Sequence, residues 1–259
     1  MIHYENVHKA FDLPVLSGVT MSVHEGEMFA LFGPSGTGKS VLLKSTIGLI
    51  RPDRGHVRVA GESVFQGGKD TLERIRRKAG YVFQHSALFD SLNVHDNVLM
   101  GLPEDELRGE RGVRASRRVW DALELVNLEP TQVLGKLPAE LSGGMKKRVG
   151  IARAIVGHPQ ILLWDEPTTG LDPVNTAAVE RLIMRLSREL ETTSLLVTHD
   201  VEGGLEMCDR VAMLDGGLVR FCGSPEEFRE SPDPVVQAFV DRAAAEAALD
   251  LAGDPSGLA

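Results

Sequence analysis

Between two apolar stretches, Met28-Phe29-Ala30-Leu31-Phe32 and Val41 to Ile50, stands Gly33-Pro34-Ser35-Gly36-Thr37-Gly38-Lys39-Ser40. The spacing is GxxxxGK[ST], and its flanks decide what it means. The five apolar residues before it predict a buried strand, and the segment from Val41 to Ile50 predicts a helix. Strand, glycine loop and helix together turn successive N–H groups onto an anion. The positive end of the helix lies behind them. Lys39 is then placed for the terminal phosphates of a nucleoside triphosphate, and the Ser40 hydroxyl for Mg²⁺. A glycine turn arising by chance does not bring both flanks with it.

Further along, Ile161-Leu162-Leu163-Trp164 ends in Asp165 and Glu166. This predicts a core strand that delivers two carboxylates at its C-terminal end, where α/β sheets bind ligands. Asp165 suits Mg²⁺, held directly or through water. Glu166 suits the general base for an attacking water. Two acids at a strand end also occur as plain solvated residues, but here they stand downstream of an intact phosphate loop.

The segment that separates this chain from other phosphate-loop proteins is Leu141-Ser142-Gly143-Gly144-Met145. Ser142 predicts the N-cap of a basic helix through Lys146 to Ala154, and a helix start binds anions. At these residues the chain resembles the ATP-binding subunits of ABC transporters, over about residues 2–232. The resemblance implies an α/β fold: a P-loop NTPase core of the RecA-like type, an antiparallel β subdomain and an inserted α-helical subdomain. It implies ATP and Mg²⁺ as ligands and a second copy of the chain as partner. Ser142, Gly143 and Gly144 then grip the γ-phosphate of ATP held by that second copy.

Other residues take roles from the same resemblance. Gln84, after Gly80-Tyr81-Val82-Phe83, matches the glutamine that senses Mg²⁺ and the attacking water. His199, after Ser194-Leu195-Leu196-Val197-Thr198, matches the histidine near the γ-phosphate. Asp172, in Gly170-Leu171-Asp172-Pro173, matches a loop that crosses the dimer interface, and it also reads as a helix N-cap. Phe11 stands where the family places an aromatic against adenine, although a phenylalanine near a strand also suits a core. Val41 departs from the family, which places a threonine there. Its backbone N–H can still serve an α-phosphate. The transmembrane permease of the family docks beside Gln84 to Asn97, where Ala87-Leu88-Phe89 is either exposed to that partner or part of the core.

A finer resemblance is to the ATPases of MCE-type, Mla-like lipid transport. It is carried by Ser35 to Leu43, Ala87 to Val94, Leu141 to Arg148 and Pro232 to Phe239, with Met145 where most relatives have glutamine. It implies phospholipid or a related lipid as cargo, with MCE-domain and accessory proteins as further partners. The alternative is an importer of amino acids or other small solutes. A soluble ABC ATPase of DNA repair or translation would carry an insertion or a second cassette, and none is visible. A kinase or GTPase shares only the phosphate loop.

Composition agrees. The net charge of −9 argues against a general nucleic-acid partner. Two cysteines are too few for a disulfide framework. Neither a leader pattern nor an apolar run approaching the roughly 18 residues of a membrane span is read. The expected location is cytoplasmic, peripheral on the inner face of the cytoplasmic membrane.

Periodicity gives the layout. Residues 1–232 form the ATPase domain, with a β-rich antiparallel edge up to about residue 84 and the helical subdomain at about 85–155. Leu102 to Gly112 reads as a mobile loop. Val119, Leu123 and Val126 mark one helix face, and Val179, Leu182, Ile183, Leu186 and Leu190 mark another. Val211 to Val219 reads as a hairpin turning on Asp215-Gly216-Gly217. Residues 233–259 form a C-terminal extension. Its Val235, Val236, Phe239 and Val240 either contact a partner copy or accessory protein or fold back on their own domain, and residues 253–259 are expected to be disordered.

Overall fold

The computed structural model describes residues 1–107 and 110–252. The first third of the chain runs β1 (Ile2–Ala10), β2 (Pro14–Val23), β3 (Met28–Phe32), α1 (Lys39–Thr46), β4 (Arg54–Val59), β5 (Glu62–Ser63), α2 (Gly68–Lys78) and β6 (Ala79–Val82). A helical stretch follows: α3 (Val94–Leu99), α4 (Glu110–Leu125), α5 (Pro130–Val133) and α6 (Gly143–Ile155). The rest is β7 (Ile161–Asp165), α7 (Pro173–Glu189), β8 (Thr193–Val197), α8 (Val201–Met207), β9 (Arg210–Asp215), β10 (Leu218–Gly223), α9 (Pro225–Arg229) and α10 (Pro234–Ala252).

Two sheets result. A four-stranded antiparallel sheet has the order β2-β1-β4-β5, and a six-stranded sheet has the order β10-β9-β3-β8-β7-β6. In the larger sheet β9, β3, β8, β7 and β6 are parallel, and β10 closes one edge antiparallel. Every residue of β3, β7 and β8 is buried. That is why these strands read as continuous apolar runs: a parallel sheet is covered on both faces.

Alternation along each strand divides the core. Ala30, Phe32, Leu162, Trp164 and Leu196 face one cluster, shared with α4, α6 and α7. Phe29, Leu31, Ile161, Leu163, Leu195 and Val197 face the other, shared with α1 and the antiparallel sheet.

Several expectations about elements hold. Val119, Leu123 and Val126 are buried, as are Val179, Leu182, Ile183 and Leu186, with Leu190 packed against the same core. The hairpin turns at Gly216 and Gly217, both at positive φ, and Leu218 pairs with Asp215.

Others are corrected. The helix after the phosphate loop begins at Lys39 and stops at Thr46, short of Ile50. Gly48, at φ 68°, ends it: its N–H donates to the Ser45 carbonyl and that of Leu49 to the Lys44 carbonyl. The β-rich edge expected up to about residue 84 also contains α2, whose charged residues hide a short apolar face of Leu72 and Ile75. Nor is the stretch from Leu102 to Gly112 simply a mobile loop. Glu104–Glu106 form a 3₁₀ turn, and α4 has already begun at Glu110. Arg77 and Arg118 hold that turn through Asp105 and Glu106. Residues 108 and 109 lie outside the described part.

In the C-terminal extension Val236 is fully buried, and Val235, Phe239, Val240 and Ala243 pack against the chain's own core. Residues 253–259, expected to be disordered, lie outside the described part.

Candidate nucleotide site and signature helix

Four adjacent parallel strands, β3, β8, β7 and β6, end on one side of the sheet, and each end carries a residue singled out in the sequence. The phosphate loop follows β3, His199 follows β8, Asp165 and Glu166 close β7, and Gln84 lies two residues past β6. The topology alone therefore brings together residues that are far apart in the chain.

The loop needs its glycines for space as well as for backbone angle. A Cβ on Gly33 (φ 140°) would lie 2.2 Å from the Leu214 carbonyl oxygen. The Lys39 ammonium folds under the loop and donates to the carbonyl oxygens of Gly33 and Pro34 at 2.6 and 2.9 Å. Burial pushes its pKa down, while Glu166 and Asp165 pull it up. Thr37 Oγ1 donates to the Pro34 carbonyl at 2.8 Å. Ser35, Gly36, Gly38, Ser40 and Val41 line a cavity of about 300 Å³ with Lys39, Glu166, Val15 and Phe11. Phe11 is 61 % exposed on its rim, so it is not a core residue, and Lys9 Nζ lies 5.3 Å from its ring. Val41 lies in the wall, as the sequence places it, and offers no hydroxyl.

The carboxylates differ in their surroundings. Asp165 is 5 % exposed. Its Oδ1 accepts from Ser40 Oγ and its Oδ2 from the Tyr81 hydroxyl, both at 2.7 Å. A hydroxyl and a carboxylate oxygen held together are hard oxygen donors of the kind Mg²⁺ prefers. Glu166 sits at φ 48°, a conformation a glutamate adopts only when its surroundings impose it. Its N–H donates to the Val197 carbonyl at 2.9 Å, which ties the turn to β8. Three side chains converge on Glu166 Oε2: Gln84 Nε2 at 2.8 Å, Thr169 Oγ1 at 3.0 Å and His199 Nδ1 at 3.8 Å.

Ser142 caps α6, accepting from the Met145 N–H at 3.3 Å. Ser142 and Gly143 are exposed, and a Cβ on Gly143 would meet nothing within 4 Å. Gly144 is buried, its Cβ position 2.8 Å from Asn175 Oδ1. Asp172 caps α7 through the Asn175 N–H at 3.0 Å, and the Asn175 side chain holds its carboxyl below the usual range. The signature segment and the Asp172 loop thus touch through Asn175. None of Ser142, Gly143 and Gly144 lines the cavity at the phosphate loop.

Sequence reasoning missed four polar contributors. Tyr81 and Thr169 bond the two carboxylates. Lys147, buried on α6, donates to the Gln84 carbonyl, and Arg153 donates to the carbonyls of Ser86 and Ala87 at 2.7 and 2.6 Å. The last two fasten the segment after Gln84 to the signature helix. In that segment Ala87 and Phe89 are exposed, while Leu88 packs on the core.

Comparison with known proteins accords with this geometry. The family model described as ABC transporter matches residues 16–169. The probable ribonucleotide transport ATP-binding protein mkl of Mycobacterium leprae is 42 % identical over 223 residues, covering 86 % of this chain and 63 % of that protein. The chain thus spans less than two thirds of that relative. The methionine import ATP-binding protein MetN of Caulobacter vibrioides is 41 % identical over 247 residues, covering 94 % and 73 %. Among solved structures, the dimeric ATP-binding cassette MJ0796 in a post-hydrolysis state bound to ADP and Pi superposes with a TM-score of 0.77 at 31 % identity, covering 87 % of this chain and 99 % of that one. The cbiO1 protein of Clostridium perfringens, part of the complex cbiONQ, gives a TM-score of 0.75 at 28 % identity over 96 % and 94 %. The chain belongs to the ABC transporter family and carries the ATP-binding ATPase domain of that family.

Proposed function

We propose that the chain binds and hydrolyses ATP between two copies of itself and so drives a membrane permease. The observation that carries this reading is the convergence of Gln84, Thr169 and His199 on one oxygen of Glu166, beside a phosphate loop whose lysine is already in place. Lys39 holds the β- and γ-phosphates, and Ser40 and Asp165 hold Mg²⁺, which neutralises phosphate charge when bound. Glu166 takes the proton of the attacking water. Gln84 and His199 orient that water and the γ-phosphate, and Phe11 stacks on adenine. Ser142, Gly143 and Gly144 of the second copy complete each site, with Asp172 at the interface. Two sites therefore form and separate together.

Among the described residues no helix is long and apolar enough to cross a membrane, so the reading assigns transport itself to separate permease subunits. For cargo, phospholipid or a related lipid is the first reading, with MCE-domain and accessory partners; it rests on the short segments named in the sequence. Import of an amino acid or another small solute is the second, favoured by likeness to MetN over 94 % of the chain. Lipid found by mass spectrometry in the purified complex with its permease supports the first, and stimulation of turnover by an amino acid supports the second.

The test of the chemistry is Glu166→Gln. It keeps size and hydrogen bonding and removes the base. Steady-state turnover is expected to fall by about 10²–10⁴-fold while ATP binding persists. Parental turnover in this variant contradicts the assignment.

A further inference from the structure

We infer that Tyr81 is a positioning residue for Asp165, its hydroxyl fixing the plane of the carboxylate so that one oxygen is held toward Ser40 and the phosphate loop. The inference rests on the proposed assignment of Asp165 and Ser40 to Mg²⁺. Tyr81 lies on β6, in parallel register with Leu163, two residues before Asp165 on the neighbouring strand. It is 8 % exposed, and its ring packs against Phe83 with centroids 4.4 Å apart. This fixes the ring, and the ring aims the hydroxyl.

A buried carboxylate requires partners for both oxygens. At Asp165 the partners are divided: Tyr81 takes Oδ2 and Ser40 takes Oδ1, each at 2.7 Å. With Oδ2 capped from inside the core, the carboxylate has one orientation, and Oδ1 is directed to the Ser40 hydroxyl. The phenol O–H donates and the carboxylate oxygen accepts, so the bond has one direction. The other tyrosine, Tyr4, spends its hydroxyl on Thr46 and cannot substitute. Without the Tyr81 hydroxyl, Oδ2 has no donor among the described residues, the carboxylate plane is free to rotate about χ2, and the pair with Ser40 is no longer preset for a cation.

A tyrosine that only fills the core predicts something different, and Tyr81→Phe separates the two because it keeps the ring. The measurement is binding of a fluorescent ATP analogue by the full chain, titrated with Mg²⁺ and repeated in EDTA. Parent, Tyr81→Phe, Asp165→Asn and the double variant are compared, with melting midpoints for each. Tyr81→Phe is expected to raise the half-saturating Mg²⁺ about tenfold, the scale of a lost hydrogen bond to a charged group. Binding in EDTA should stay at the parental affinity. In the Asp165→Asn background the same change should add nothing, since it acts through that carboxylate. Tyr81→Met, which removes the ring as well, should show the same Mg²⁺ shift.

A parental Mg²⁺ requirement in Tyr81→Phe, beside a raised one in Asp165→Asn, overturns the inference and leaves the Mg²⁺ assignment standing. So does an equal loss in EDTA, or a full further loss in the Asp165→Asn background. A parental requirement in Asp165→Asn overturns the assignment and the inference with it.

Discussion

Where β3, β7 and β8 end, polar side chains are spoken for within the chain: Lys39 by two loop carbonyls, Asp165 by Ser40 and Tyr81, Glu166 by Gln84 and Thr169. At the start of α6 the opposite holds. Ser142 and Gly143 are exposed, and among the described residues the Ser142 side chain is engaged only in capping its own helix. The first region is held ready inside one copy. The second leaves Ser142 and Gly143 at the surface, at a helix start of the kind that suits an anion brought by another molecule. Damage to the first should therefore register in the chain by itself, and damage to the second only when two copies meet.

Of the changes that probe this contrast, Ser142→Arg should have the largest effect and sharpen it most. Turnover is expected to drop by about 10²–10³-fold, the scale for losing a donor to transition-state charge. ATP binding by the isolated chain should stay unchanged, because the side chain is exposed and does not line the phosphate cavity, and stability should fall only by the roughly 1 kcal/mol of a lost N-cap. Equal loss of binding would erase the distinction between the two regions.

Gly33→Ala breaks the other region. Its new methyl meets the Leu214 carbonyl at 2.2 Å with φ at 140°, and no flexible side chain can yield. Stability should fall by about 2–4 kcal/mol, and nucleotide binding should fall with it, as read by chemical denaturation and equilibrium binding. Unchanged stability would mean that the loop is less closely fitted than the structure shows.

Phe11→Ala tests the rim. The ring is 61 % exposed, so the fold should not notice its loss. ATP affinity should weaken by about tenfold, the lower range for a base–aromatic stack, while a triphosphate without a base binds as before.

The smallest effect concerns Glu180, behind the His199 strand end. Burial, a hydrogen bond with Asp200 and the charges of Asp200 and Glu206 push its pKa up to about 7, against Arg181. A carboxyl raised above its unfolded value of about 4.3 binds its proton more tightly when folded, so stability falls as pH rises from there through 7. Glu180→Gln should flatten that decline, with its advantage over the parent greatest above pH 7 in denaturation curves. A parallel pair of curves would remove the carboxyl pair as the cause.

The candidate site was legible because its residues lie in short contiguous patterns, most of them at the end of an apolar run. Lys39, Ser40, Asp165, Glu166 and Ser142 needed only their neighbours in sequence. Gln84 and His199 needed order along the chain, and the sheet supplied the rest. Tyr81, Thr169 and Lys147 were not legible, because their partners lie on other elements and their own neighbourhoods look like ordinary strand, turn and helix. Of the fold, the buried parallel strands were plain. The short helix α2 was not, because two apolar residues among seven charged ones leave little periodicity to read. The apolar residues of the C-terminal extension signalled a need for cover. Only the structure shows that Val236 finds it against its own domain.

The claim that each ATP site is divided between two copies is tested most directly by sedimentation equilibrium of the Glu166→Gln chain, with and without ATP and Mg²⁺. The account predicts a monomer without nucleotide, a dimer with it, and a monomer again with nucleotide when Ser142→Arg is added. A chain that stays monomeric at saturating ATP, or an ATP-bound dimer indifferent to Ser142→Arg, contradicts it.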